Sequence, residues 1–212
     1  MMQAAYDEKY FTTANYEDYL ARAERYYRTA RHLNMLLAML GRNAGRYVDY
    51  GCAVGHLVKG FQLCDVNNIE GYDISHWAVE QGVRNGLPLT TNYRKVVQPI
   101  CNVLTALDVF EHMEIDSVKK VLRAFHPETL IVRIPICANE GEDYVLKCSR
   151  DDPTHLIRWT KQQWSDMFEQ QGYRMVSLAL PTIYCSEGVY SAIGFRDEGF
   201  YNHFRRQRSL TS

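Results

Sequence analysis

The sequence predicts an α/β fold that is doubly wound: a seven-stranded, mostly parallel sheet covered by helices on both faces. Three observations predict it. From about residue 46 onward, short β-rich runs alternate with stretches of helical spacing, the texture of strand–helix–strand units. The last two strand candidates have no helix between them, so they read as an antiparallel C-terminal hairpin at the sheet edge. The composition, 46% hydrophobic and 23% charged over 212 residues, is that of one globular unit able to bury a core without disulfides.

The elements follow in order. Tyr16, Tyr19, Leu20, Ala23 and Tyr27 recur at three- and four-residue spacing and predict one N-terminal helix; 28–40 predicts a second, stopped at Gly41. Strands are predicted over 46–50, 68–73, 87–91, 101–107, 130–136, 173–180 and 189–195. Between them lie helical stretches at 56–64, from the N-cap Ser75 to Asn85, at 117–125 before the His126-Pro127 break, and at 160–171 between Thr160 and Gly172. A loop with Pro181 and Gly188 joins the last two strands. The organisation is thus an N-terminal helical cap over 1–44, a core over 45–197, and a basic tail over 198–212 whose Arg205, Arg206 and Arg208 read as solvated.

Composition excludes several functions. Lys plus Arg is 24 against 25 for Asp plus Glu, a net charge of −1, which argues against a protein that coats nucleic acid. The longest apolar stretches, 35–40 and 129–132, are too short to span a bilayer. The first eight residues have neither the basic nor the apolar region of a secretory signal, so a cytoplasmic protein is expected. The six cysteines form no C-x-x-C pair and read as reduced thiols; no metal site is expected.

The loop after the first core strand reads Asp49-Tyr50-Gly51-Cys52-Ala53-Val54-Gly55. Glycines there let the chain turn sharply and let a ligand lie against the backbone. A dinucleotide loop would be G-x-G-x-x-G; this one is G-x-x-x-G with Ala53 between and an acid two positions before the first glycine. That carboxylate, Asp49, repels a pyrophosphate and attracts an ammonium group or its bound water. Asp73 ends the second strand, 22 residues after Gly51, where a carboxylate can accept both hydroxyls of a ribose. A nucleoside with a cationic, phosphate-free tail is S-adenosylmethionine.

These residues carry a family resemblance. Val48 to Gly55 resembles the first motif of class I S-adenosylmethionine-dependent methyltransferases, and Glu70-Gly71-Tyr72-Asp73-Ile74-Ser75 resembles their second-strand motif. Asp108-Val109-Phe110-Glu111-His112 resembles the D-x-x-E-H signature of a small-molecule subgroup. Asp152-Pro153-Thr154-His155, with the helix after Trp159, is similar to a segment of the same subgroup. The resemblance covers about 47–194 and implies a Rossmann-like fold. It implies S-adenosylmethionine as cofactor, held by Asp49, Gly51, Cys52, Ala53, Gly55, Asp73 and Ile74, with Leu107 and Asp108 against its methionine half. The acid that usually follows the third strand and faces adenine is missing, and Thr91 or Asn92 stands in its place.

Two histidines are candidates for catalysis. His112 follows the fourth strand, where it can serve as a general base or touch the acceptor. His155 follows a long loop and two acids, which favour its protonated form and suit a base that receives a hydroxyl proton. The tyrosines 6, 10, 16, 19, 26 and 27 read as packing residues, with one or two at the mouth of the site. The expected acceptor is a small molecule offering a hydroxyl, amine or carbon, a sugar or lipid-linked intermediate among them. RNA is a disfavoured second choice, DNA is not expected, and a catalytically silent cofactor-binding module is the alternative outside enzymes.

Overall fold

The computed structural model describes residues 6–13, 19–97, 101–179 and 187–196. The expectations for Tyr16, Pro181, Cys185 and the basic tail lie outside these residues. Among the described residues there are seven strands: β1 (Tyr47–Tyr50), β2 (Ile69–Tyr72), β3 (Leu89–Thr90), β4 (Val103–Leu107), β5 (Thr129–Pro135), β6 (Arg174–Ser177) and β7 (Val189–Phe195). Eight helices accompany them: α1 (Glu8–Thr12), α2 (Ala23–Met39), α3 (His56–Gln62), α4 (His76–Arg84), α5 (Tyr93–Val96), α6 (Ile115–Phe125), α7 (Lys147–Arg150) and α8 (Lys161–Gln170). Short 3₁₀ turns cover Tyr19–Arg22 and Phe110–His112.

The sheet order is β3-β2-β1-β4-β5-β7-β6. The first five strands pair in parallel; β7 runs antiparallel to both β5 and β6. The expected antiparallel pair is therefore there, with β7 inserted beside β5 and β6 left as the edge. Because β1 is flanked by β2 on one side and β4 on the other, the chain reverses its winding direction between them. A crevice opens there beyond the carboxyl ends of the strands, which is where doubly wound sheets bind ligands.

Alternating side chains divide the core between two faces. On β4 and β5, Leu104 and Leu130 point into one layer with Phe125 and Trp164. Val103 and Ile131 point into the other with Leu33, Leu37, Leu57 and Phe61. All seven residues of β5 are buried, as a central strand covered on both faces requires.

Helix ends follow the capping chemistry in the sequence. The Ser75 hydroxyl accepts from the Ala78 N–H at 3.1 Å, and Thr160 forms a capping box with Gln163. His126 ends α6 in the left-handed region at φ 43°. The two expected N-terminal helices are corrected to one. Helix α2 runs from Ala23 to Met39 through position 28 without a break, and buries Thr29, Ala30, Leu33 and Leu37. Thr29 turns its hydroxyl back to the Arg25 carbonyl at 2.9 Å and so stays inside the helix.

Gly82 shows how tightly α4 lies on the glycine loop. A Cβ there would come within 2.1 Å of Leu89 Cδ1 and 2.7 Å of the Val54 carbonyl oxygen. The leucine can turn away but the backbone oxygen cannot. Gly82→Ala is expected to destabilise by about 1–3 kcal/mol through overpacking, more than the roughly 1 kcal/mol of helix propensity it gains. Thermal unfolding should show a lower Tm; a raised one would contradict the packing.

Candidate cofactor and acceptor site

One cavity of about 450 Å³ occupies the crevice, within the size range of small-ligand sites. Its floor is the loop after β1. Gly51 has φ +77°, and a Cβ on it would meet Val109 Cγ2 at 2.3 Å, so both the turn and the close approach of the β4 loop require glycine. The Gly51 and Cys52 N–H groups donate to the Tyr72 carbonyl at 2.7 and 3.0 Å, which fastens the loop to the end of β2. Ala53 has φ +47°, a conformation that costs a non-glycine residue on the order of 1–2 kcal/mol. Its N–H donates to Asp73 Oδ2 at 2.8 Å, which holds it there.

Two acids face the cavity from adjacent strands. Asp73 is buried, and its Oδ1 accepts from the Ser75 N–H at 2.8 Å. Each carboxylate oxygen thus takes one backbone donor and keeps further acceptor capacity. Burial raises its pKa, against the lowering effect of those hydrogen bonds. Asp49 is also buried, accepts from the Thr105 hydroxyl at 2.6 Å, and is pushed up to about 7 by desolvation. The Thr105 bond opposes that rise, and the neighbouring Asp73 adds to it. A third acid, Asp108, has φ +57° and is clamped by the buried Arg133, with Nε at 2.8 Å from Oδ1.

The chain from 137 to 160 folds over the same end of the sheet, tied by bridges from Cys137 to Tyr144 and Thr160. The Leu156 and Ile157 N–H groups donate to the Glu111 carbonyl at 2.7 and 3.1 Å. This docking brings His155 against His112, with ring centroids 4.4 Å apart. His112 Nδ1 lies 2.8 Å from Thr154 Oγ1, and the Thr154 hydroxyl donates to Asp152. Glu111 is wholly buried, and burial pushes its pKa up to about 8.

Of the residues expected to hold the cofactor, Asp49, Gly51, Cys52, Ala53, Asp73, Ile74, Leu107 and Asp108 line this one cavity. Gly55 does not; it caps α3 at φ +84° and packs toward Leu87 and Leu89. Thr91 and Asn92 do not line it either, and Asn92 instead caps α5 through the Arg94 N–H. Tyr72 and Tyr93 are the ring-bearing residues on that side, 5.6 Å apart.

His112 lines the cavity, whereas His155 stands behind it. The expectation that acids keep His155 protonated meets a stronger effect. Asp152 does favour the charged form, but burial dominates and lowers the pKa. Burial also lowers that of His112, and the charge of His155 adds to the effect. Both imidazoles are therefore held neutral.

The N-terminal aromatics do more than pack. Tyr6, Tyr10, Phe11, Tyr19 and Tyr26 all line the cavity; Phe11 stacks on Trp77 at 5.6 Å, and the Ser75 hydroxyl donates to the Tyr6 carbonyl at 2.6 Å. Glu111 is a residue that the metal-free reading of the sequence left out. Ligand atoms of Glu111, His112 and His155 lie within 4.8 Å of one another, a group able to hold a metal ion. No described helix is long and apolar enough to cross a membrane.

The comparisons with known proteins bear on this geometry. No curated protein matches the sequence. Among solved structures, the fold is similar to that of magnesium protoporphyrin IX methyltransferase from Synechocystis PCC 6803 with bound S-adenosylmethionine, at TM-score 0.58 and 15% identity over 87% of this chain and 86% of that one. It is also similar to the methyltransferase domain of bacterial CtHen1-C, at TM-score 0.55 and 20% identity over 81% and 98% of the two chains. A methyltransferase dependent on S-adenosylmethionine from Archaeoglobus fulgidus gives TM-score 0.56 and 15% identity over 84% and 98%. The family model described as a methyltransferase domain matches residues 19–178, which include β1 to β6 and most of the residues lining the cavity. The chain belongs to this methyltransferase-domain family.

Proposed function

We propose that this chain transfers a methyl group from S-adenosylmethionine to a small-molecule acceptor. The observation that carries this reading is that one cavity is lined by the Gly51 loop, Asp49, Asp73 and Asp108, and also by His112. The residues fit such a cofactor. Asp73 at the end of β2 would accept the ribose hydroxyls, an ionised Asp49 would face the cationic tail, and Gly51 leaves the backbone bare. When bound, the sulfonium supplies an already activated methyl group, so the protein's work is alignment and exclusion of water, worth on the order of 7–11 kcal/mol of barrier.

The Tyr6 and His112 rings meet edge to face at 5.9 Å and define the acceptor wall. The neutral His112 Nε2 offers a lone pair there, either to take the proton of a hydroxyl acceptor or to hold a Lewis acid beside it. His155 supports His112 from behind. An aromatic cavity of this size suits a small acceptor better than a polynucleotide. RNA is the competing acceptor, since a small RNA methyltransferase, HEN1, shares the fold at TM-score 0.50. The test is production of S-adenosylhomocysteine with a panel of phenols, sugars, amines and RNA oligomers. Turnover on RNA alone would overturn the small-molecule reading, and cofactor binding without turnover on any acceptor would favour a silent module.

Asp49 gives this reading a pH signature. A proton on Asp49 competes with a cationic ligand, so affinity for S-adenosylmethionine rises as pH climbs through the pKa near 7. Between pH 6 and 7.5 the expected gain is about eightfold, and Asp49→Asn should flatten the profile. Calorimetry across that range checks it; a flat wild-type profile would remove Asp49 from the cationic end.

A further inference from the structure

Glu111 presents a problem of satisfaction. Its side chain is fully buried, yet neither carboxylate oxygen has a hydrogen-bond partner. A buried carboxylate is normally paired or ligating, because leaving it unpartnered is costly. Its neighbours are two imidazoles: His112 Nε2 lies 3.9 Å from Glu111 Oε1, too far for a hydrogen bond, and His155 Nδ1 is itself buried without a partner.

Hydrogen bonding fixes the tautomer of His112. The Thr154 hydroxyl gives its only hydrogen to Asp152 Oδ1, so Thr154 Oγ1 has only lone pairs to offer His112 Nδ1. Nδ1 therefore carries the hydrogen, and Nε2 presents a lone pair on the Glu111 side. A carboxylate and a hydroxyl that orient a histidine in this way are the usual outer partners of a ligating imidazole. Asp152 also faces His155, with Oδ2 3.7 Å from Nε2. A proton on Glu111 would neutralise it but leave the second oxygen and the His155 nitrogen unmatched. A cation takes lone pairs from all three side chains.

We propose that Glu111, His112 and His155 bind one divalent transition-metal ion, zinc being the probe of choice. Two imidazoles and one carboxylate suit zinc and its first-row neighbours rather than magnesium or calcium, which prefer oxygen. Three protein ligands leave a further coordination position free. Of the three ligands His112 lines the cavity, so the ion would lie beside that wall. Zinc bonds of about 2.0–2.2 Å set tetrahedral ligand atoms about 3.4 Å apart. Binding therefore draws the trio inward from its 4.8 Å spread, a shift within reach of side-chain torsions. The inference deepens the proposed function and rests on it for its use: the ion holds and polarises an acceptor oxygen in line with the methyl group. His112 Nε2 is then a ligand, and the ion takes over the task a free imidazole base would have.

The test is calorimetric titration of zinc chloride into chelator-treated full-length protein, with and without saturating S-adenosylhomocysteine, repeated with cobalt to read the visible absorption of a nitrogen-ligated ion. The expected result is one ion per chain. Glu111→Gln and His155→Asn should each weaken zinc by more than the ten- to hundredfold that loss of an outer partner costs, while S-adenosylhomocysteine affinity stays within about threefold. Thr154→Val keeps all three ligands and should fall within that ten- to hundredfold range, so the proposal stays testable if either ligand variant fails to fold. Wild type that binds S-adenosylhomocysteine but no ion overturns the ion site alone. Zinc affinity unchanged in the variants also overturns it. Ion binding without S-adenosylhomocysteine binding upholds the site and overturns the cofactor reading.

Discussion

Replacing Asp73 with Asn should lower S-adenosylhomocysteine affinity by about ten- to hundredfold, toward the upper end of that range. The carboxylate does two jobs. It accepts the Ala53 and Ser75 N–H groups, which hold the glycine loop and the start of α4, and it faces the cavity where a ribose would place its hydroxyls. Losing charge-assisted hydrogen bonds costs about 1.5–3 kcal/mol, which is one to two decades of affinity. The amide adds a second penalty, because its NH₂ must face either the Ala53 N–H or the Ser75 N–H, donor against donor. S-adenosylhomocysteine is the right probe because it is not consumed. A change of less than threefold in calorimetry would mean that Asp73 only braces the loop.

The second large effect is expected at His112. His112→Ala should lower turnover on the acceptor found in the panel by about 10²–10⁴-fold, whether the ring takes the acceptor proton itself or holds the ion that takes over that task. S-adenosylhomocysteine affinity should stay within about threefold, since the residues facing the cofactor are untouched. That split separates an acceptor-side role from a structural one. Equal loss of turnover and affinity would show that removing the ring collapses the aromatic wall with Tyr6.

The shared cavity of the residues proposed to hold the cofactor was legible because those residues are local. Asp49, Gly51 and Asp73 sit at the ends of adjacent strands, and strand–loop–helix order alone brings such ends together. The acceptor half was legible only in part. His112 and His155 are 43 residues apart, and the 137–160 loop that folds one onto the other has no periodic signal to read. Glu111 stood in the sequence only as a member of the D-x-x-E-H signature; that its side chain is buried without partners depends on the docking of Leu156 and Ile157 on its carbonyl. The same holds for the N-terminal tyrosines. Helical spacing marks a buried face, but whether that face covers a sheet or a cavity is decided by tertiary structure. The position of β7 between β5 and β6 was equally beyond local reading, because an antiparallel pair can attach to a sheet by either strand.

The most direct measurement is titration of S-adenosylmethionine, S-adenosylhomocysteine and NAD into the wild-type protein at pH 7.5, with Asp73→Asn in parallel. The first two should bind at one per chain, Asp73→Asn should weaken both, and NAD should not compete. Tight NAD binding without either sulfur ligand, or no binding of any of the three, would contradict the cofactor reading.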